Sequence, residues 1–537
     1  MIKVIKTDTI VLLVTMLLVG ITAIILGKDT HWDLKHYHYY NGYAFLYGRL
    51  DYDIAPADIQ TYLNPLMDIP VYLGITYLPA KLFGFLLGAI QGIGIWLVYK
   101  LTRSVMKESS QKNSVALAIL SSITAFLGVG WLSEIGATMG DNIVALFILS
   151  ALLLTISCPA PITFSNGKRA LIGASFLLGF GTGLKLIAGS YLIGYLFSLA
   201  LVMDKHLRMR NYIVVIIAAS SGILASIGFW IVKLWYKFQS PLFPFYNEIF
   251  QSPYFDIANW KDNRFSTNNL LESLFYPIFF TFDPQRVCEL VFLDFRLLTL
   301  YLVVLLYSFW FVAQRFLGWN KLSISAGYNK SKEHFLVAFC MISYMLWLIV
   351  YPYYRYAIPL EILTPVIVVI VLGSLGMSSL VSRRITYLIL ILLIVIGLTK
   401  PINWGRHPWE SGPPWDDSAY FSVISSGPLT RYENSTILMG DDAVSYVIPF
   451  FPEQAKFIHT LGDGINLYRN SNYKNPKMIS EIKKEISQSK NLKIMISNES
   501  EMKDTAIIFN VRVNLYACDS FLTSVGDRFF ICDAAVI

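Results

Sequence analysis

Mostly apolar stretches recur along this chain near 10–26, 72–101, 114–131, 141–158, 170–187, 188–203, 212–235, 296–318, 334–351, 357–377 and 386–399. About 20 apolar residues are what an α-helix needs to cross a hydrocarbon core, and a helix there satisfies its own backbone hydrogen bonds. The pattern therefore predicts a polytopic α-helical membrane protein with about eleven transmembrane helices. A composition 55% hydrophobic and only 15% charged over 537 residues agrees. The net charge of +7 is no sign of a nucleic-acid partner, because the lysines and arginines fall in short segments between apolar runs, where they set topology.

Those basic segments also give an orientation. Lys100, Arg103, Lys107 and Lys112, then Lys168 and Arg169, then Lys205, Arg208 and Arg210, then Lys321, Lys330 and Lys332, then Arg383 and Arg384 all fall on the N-terminal side. The excess of positive charge places that side in the cytoplasm. Alternation sends the loops 28–70, 131–141 and 236–295, and everything after Lys400, outside. The first run, preceded by Lys3 and Lys6, reads as a signal anchor, since no small-residue cleavage site follows it.

Two domains are expected: a transmembrane module, 1–399, and a soluble α/β domain, 400–537, on the outer side. In the second, STILMG, KFIHT, LKIMIS and TAIIFN read as strands and MISEIKKEISQS as an amphipathic helix. Cys518 and Cys532 flank a turn containing Gly526, which suits either a disulfide or two unlinked strand cysteines. Cys158 and Cys340 lie in spans as packing residues, and no cysteine spacing marks a zinc site.

The loop 28–70 carries the densest chemistry, with acids, histidines and tyrosines between two spans. Asp33, in HWDLKHYHYYN, follows the first span by a few residues, so the helix end holds it near the headgroup plane, placed to act as a general base on a hydroxyl. A solvated loop acid is the plain alternative. His36 and His38 are two residues apart and do not share a helix face, which favours substrate or structural hydrogen bonds over metal ligation. Asp51 and Asp53 form a D-x-D, the weak candidate for a divalent cation or for sugar hydroxyls; no cofactor is otherwise indicated.

Further along, Glu134 and Asp141 stand at span ends, where interfacial burial perturbs acids, although Asp141 also suits a helix cap. Lys185 lies between two short spans, where an anionic headgroup or snorkelling to the surface would satisfy it. Arg355, followed by Tyr356 in YPYYRYAIPLE, has the fork geometry that holds a phosphate, with an ion pair to Glu361 as the structural rival. Asp262 and Arg264 are the candidate polar contacts of the 236–295 loop.

Taken together, the acid just past the first span (Trp32, Asp33, Leu34, then Tyr37 and His38), the acid Glu134 in the second outer loop, and the late Arg355 and Tyr356 resemble the GT-C superfamily of membrane glycosyltransferases, of bacterial cell-envelope type. The resemblance implies transfer of a sugar from a polyprenyl-phosphate carrier to a lipid, glycan or protein acceptor on the extracytoplasmic face of a bacterial inner membrane, with inversion. It gives Asp33 the role of catalytic acid residue of the first loop. The chain departs from the adjacent acidic pair of protein mannosyltransferases and from the WWD motif of oligosaccharyltransferases.

Such a transfer needs a base for the acceptor hydroxyl and fixed positive charge for the departing phosphate. Asp33 suits the first; Lys185 and Arg355, with Arg264, suit the second. Two rival readings use the same residues. A polysaccharide ligase or polymerase would take a lipid-linked glycan as donor. A transporter of lipid-linked sugars would use Lys185 and Glu361 as pathway charges, but its paired halves are not evident in these long, unequal loops.

Overall fold

The computed structural model describes residues 2–106, 111–159, 162–202, 208–257, 263–316, 330–375, 379–398, 401–410, 419–440, 444–460, 476–497 and 509–537. Each apolar run of the sequence coincides with a helix: Ile2–Leu26, Ala80–Val105, Gln111–Phe126, Asp141–Ser157, Phe164–Leu184, Gly189–Val202, Arg208–Phe238, Arg296–Phe316, Lys330–Val350, Ile358–Ser374 and Ser379–Gly397. Among the described residues, seven helices are long and apolar enough to cross a membrane. Leu13, Phe309 and Val395 lie on exposed helix faces, as lipid-facing positions do.

Two boundaries differ from the sequence expectation. The run at 72–101 is broken into Asp68–Tyr77 and Ala80–Val105, because Leu78 precedes Pro79 and is held extended (φ −108°, ψ 150°). The loop 236–295 contains a further apolar helix, Leu270–Phe282.

The described chain divides into two compact units, each assembled from three separate stretches. One comprises Met1–Ile25, Phe85–Ser226 and Asp262–Asn403. It is helical, and its most enclosed helix is Ile358–Ser374, where nearly every side chain is buried.

The other unit comprises Leu26–Gly84, Ile227–Lys261 and Trp404–Ile537. This partition differs from a boundary at 400, since the loop 28–70 belongs with the C-terminal region. Strand β1 (Lys28–Asp29) pairs antiparallel with β2 (Arg406–His407). A mixed sheet follows, from β3 (Val423–Ser425), β4 (Thr436–Met439), β5 (Lys456–His459), β6 (Leu492–Ile496), β7 (Val511–Thr523) and β8 (Arg528–Val536), in the order β3-β7-β8-β6-β4-β5. The neighbours of β4 run parallel to it and the remaining pairs are antiparallel. Ile54 adds a parallel bridge to Ile458, so the 28–70 loop occupies the open edge of β5 that would otherwise expose unpaired backbone groups.

Helix Pro476–Gln488 buries Met478, Ile482 and Ile486, the apolar stripe that its sequence period predicted. Cys518 and Cys532 face each other across β7 and β8 and are disulfide-bonded. TAIIFN lies largely outside the described residues, and its last two residues form a helical turn ahead of β7 rather than a strand.

Candidate active site

In the unit that holds the 28–70 loop, the chain enters a helical stretch through a π-turn, Leu34–His38, and continues as the α-helix Tyr39–Leu46. The Tyr39 N–H donates to the Leu34 carbonyl, five residues back, and this widened turn brings residues five apart onto one face. Asp33 and His38 are such a pair. Gly42 lets the helix Asp68–Tyr77 come close: a Cβ there would stand 2.4 Å from the Asp68 carbonyl oxygen and 2.6 Å from the Tyr72 Cβ. The approach delivers the Asp68 carboxylate to His38, with Oδ1 2.6 Å from Nδ1. Asp29, fixed by the β1 pairing, does the same to His31, again at 2.6 Å.

An ionised carboxylate only accepts, so Nδ1 of each ring carries a proton, and in the neutral tautomer that this contact selects Nε2 holds the lone pair. Asp33 is 8% exposed, and its Oδ2 lies 3.9 Å from the His31 Nε2. The acid predicted as catalytic is thus enclosed rather than solvated, and His31, Asp33 and His38 form a buried group of metal-ligand type. His36 points to different company. It stacks on Trp32 at a 4.1 Å centroid distance, and burial, with His459 adding to it, pushes its pKa down to about 3, so that it serves as a neutral ring.

A second constellation lies in the helical unit. Lys185 is extended (φ −145°) where the chain leaves the helix Phe164–Leu184, and its ammonium donates to Asp141 Oδ1 at 2.5 Å and to the Met139 carbonyl at 3.2 Å. Arg355 Nε lies 3.6 Å from Asp141 Oδ2. The ring of Tyr356 sits beneath both cations, 5.1 Å from Lys185 Nζ and 5.6 Å from the Arg355 guanidinium carbon. Asp141 is therefore the shared counter-ion of the two residues that the sequence marked for phosphate.

Glu134, 1% exposed, faces this cluster, and neither of its carboxylate oxygens meets a donor among the described residues. Burial first, then the charge of Asp141, push its carboxyl well above the ordinary glutamate range, while Arg355 and Lys185 oppose that shift. Once protonated, Glu134 can itself donate to Asp141.

The turn that carries Glu134 is clamped by residues the sequence reading passed over. Gln91 donates to the carbonyls of Glu134 and Ala137, each at 3.2 Å, and accepts from the Gly136 N–H at 2.6 Å. Glu361 does not pair with Arg355. It accepts from the N–H groups of Gly130 and Trp131 at 2.9 and 3.0 Å and from the Tyr354 hydroxyl, holding the short helix Val129–Ser133 that leads into Glu134.

Other candidates fall elsewhere. Asp51 and Asp53 do not offer paired oxygens to a cation. Asp51 is exposed and lies against Lys233 and Lys237, at 3.5 and 3.4 Å. Both oxygens of buried Asp53 are taken by a two-pronged Arg49 contact, the Tyr40 hydroxyl and the Phe457 N–H. Arg264 is exposed and paired with Glu289 at 3.1 Å, an ion pair of the kind that contributes little by itself. Asp262 lies outside the described residues. His31 and Asp29 were missed because a single histidine two residues from an acid carries no periodic signal; the H-x-D-x4-H spacing was the only trace.

No protein-family model matches the sequence, and no curated protein matches it. By structure, the chain is similar to ArnT from Cupriavidus metallidurans bound to undecaprenyl phosphate, with a TM-score of 0.51, 10% identity, and coverage of 98% of this chain and 97% of that one. The apo state of the same protein gives a TM-score of 0.48 at 11% identity, over the same shares of the two chains. The likeness is one of fold, and the long apolar helices make this chain an integral membrane protein.

Proposed function

We propose that the protein is a glycosyltransferase that moves a sugar from a polyprenyl-phosphate donor to an acceptor hydroxyl on the extracytoplasmic face of a bacterial inner membrane. The observation that carries this reading is the meeting of Lys185 and Arg355 on a single buried carboxylate, Asp141, with Glu134 beside it. With Glu134 protonated, Lys185 and Arg355 converge on Asp141 as two cations beside a neutral acid, an arrangement of positive charge that suits a phosphate. Arg355 can offer parallel N–H groups and Lys185 a point charge. The fold supports the donor class, since ArnT, which shares it, has been seen with undecaprenyl phosphate.

In the reaction, the acceptor oxygen attacks the anomeric carbon and the bond from that carbon to the phosphate oxygen breaks. Its electron pair leaves on the phosphate, stabilised by Lys185 and Arg355, and the hydroxyl proton passes to Asp33. Attack opposite the leaving group inverts the anomeric centre.

The test is transfer by the full chain in nanodiscs from a panel of radiolabelled polyprenyl-phosphate monosaccharides to lipid acceptors. Transfer should be abolished in Asp33→Asn with the protein still folded, and Arg355→Ala should lower kcat/KM by about 10²-fold or more. Full activity in Asp33→Asn removes that residue from the mechanism. Transfer only from a lipid-linked glycan, and from none of the monosaccharide donors, would make the protein a ligase.

A further inference from the structure

Two histidines in the 28–70 loop are held in a way that general hydrogen bonding does not explain. Each has its Nδ1 fixed by a buried carboxylate, His31 by Asp29 and His38 by Asp68, both at 2.6 Å. Each ring is more than nine-tenths buried, and each Nε2 is buried with no hydrogen-bond partner among the described residues. In their neutral tautomers the two rings would leave imidazole lone pairs unmatched in a desolvated site, which is unfavourable unless something that accepts lone pairs sits between them.

The carboxylate of Asp33 completes the group: one ligand atom from each of His31, Asp33 and His38 lies within 4.8 Å of the others. Donors around a tetrahedral zinc stand roughly 3.3 Å apart, given bond lengths of about 2.0–2.2 Å, so small side-chain rotations close the set.

We infer that His31 Nε2, His38 Nε2 and an oxygen of Asp33 form a site for a divalent transition-metal ion, with Asp29 and Asp68 as the carboxylates that orient the two imidazoles. Two imidazoles and one carboxylate suit borderline ions such as Zn2+ and leave coordination positions open. A carboxylate on the far nitrogen fixes the tautomer and raises the basicity of the ligating one, the arrangement that metal-bound histidines recurrently show. All five residues belong to one compact unit. The inference deepens the reading of Asp33: an ion here would polarise the acceptor hydroxyl, leaving the second oxygen of Asp33 to take the proton. Metal binding itself does not depend on that reading.

The experiment uses the full-length chain, purified without a polyhistidine tag, equilibrated with Zn2+, freed of excess metal and measured by plasma mass spectrometry. Cobalt absorption in the visible range serves as a second readout of nitrogen ligation. Wild type should hold one ion per chain. His31→Gln and His38→Gln should lose it and the cobalt bands, and Asp68→Asn should weaken affinity about 10–100-fold. Asp51→Asn should leave the content unchanged.

A wild-type chain that retains no zinc, or His31→Gln and His38→Gln chains that retain it fully, overturns the site. Wild-type zinc content in Asp33→Asn, with transfer abolished, removes Asp33 from the ligand set and leaves the transferase reading intact. A bound ion with no transfer from any donor keeps the metal site and sinks the transferase reading instead.

Discussion

The Asp68 carboxylate meets the Nδ1 of His38 at 2.6 Å across 30 residues of sequence, both side chains nearly fully buried. This contact ties the start of the helix Asp68–Tyr77 to the π-turn that carries Asp33. Asp68→Ala leaves a buried N–H without an acceptor and should destabilise the protein by about 1–3 kcal/mol in denaturant unfolding. Asp68→Asn keeps an acceptor oxygen and should cost less. Equal stability of Asp68→Ala and wild type would show that the contact contributes nothing.

Gly42 controls the same approach by having no side chain. In Gly42→Ala the new Cβ would meet the backbone of Asp68, which cannot yield as a flexible side chain would. The expected loss is about 1–3 kcal/mol, read as a lower midpoint in thermal unfolding. An unchanged midpoint would mean that the two helices slide apart freely.

Glu134 gives a pH signature. Its folded pKa is raised by burial and by Asp141, against Arg355 and Lys185. Above the ordinary glutamate value of 4.5 the unfolded chain has lost this proton while the folded chain keeps it, so the folded state binds more protons and this group's contribution falls as pH rises. Glu134→Gln removes the penalty. Its stability relative to wild type should therefore increase from pH 5 upward, by at most about 1.4 kcal/mol per unit. Parallel stability curves for the two proteins would mean that Glu134 is ionised when folded.

Arg49 and Asp53 form a buried pair at 2.6 Å, and Arg49 also donates to the carbonyls of Glu453 and Ala455 beside β5. Breaking it with Arg49→Met strands a buried carboxylate and should cost about 3–5 kcal/mol. Asp51→Asn, on an exposed acid, should change stability by less than about 1 kcal/mol. Similar losses from the two substitutions would contradict the division of labour within this D-x-D.

Much of the architecture was legible in advance because crossing a bilayer imposes a length and an apolarity on each helix, and both can be counted along a chain. The strands STILMG, KFIHT and LKIMIS and the helix between them were readable for the same kind of reason, a short-range period set by burial on one face. Asp33, Glu134, Lys185 and Arg355 stood out because ionisable groups at span ends are costly to place there without a use. The D-x-D was a weak candidate, since two acids at that spacing look alike on paper whether they face a cation, a lysine or an arginine.

From order and composition alone came the helices, the topology signals and the residue types able to handle a phosphate and a hydroxyl proton, because each rests on properties local to a few residues. Tertiary structure decided the partnerships. Asp141 as counter-ion to both Lys185 and Arg355, Gln91 as clamp on the Glu134 turn, and Asp68 as the carboxylate behind His38 all depend on segments tens to hundreds of residues apart. Those pairings follow from close packing and from the need of each buried charge for a neighbour, which no short stretch of sequence encodes.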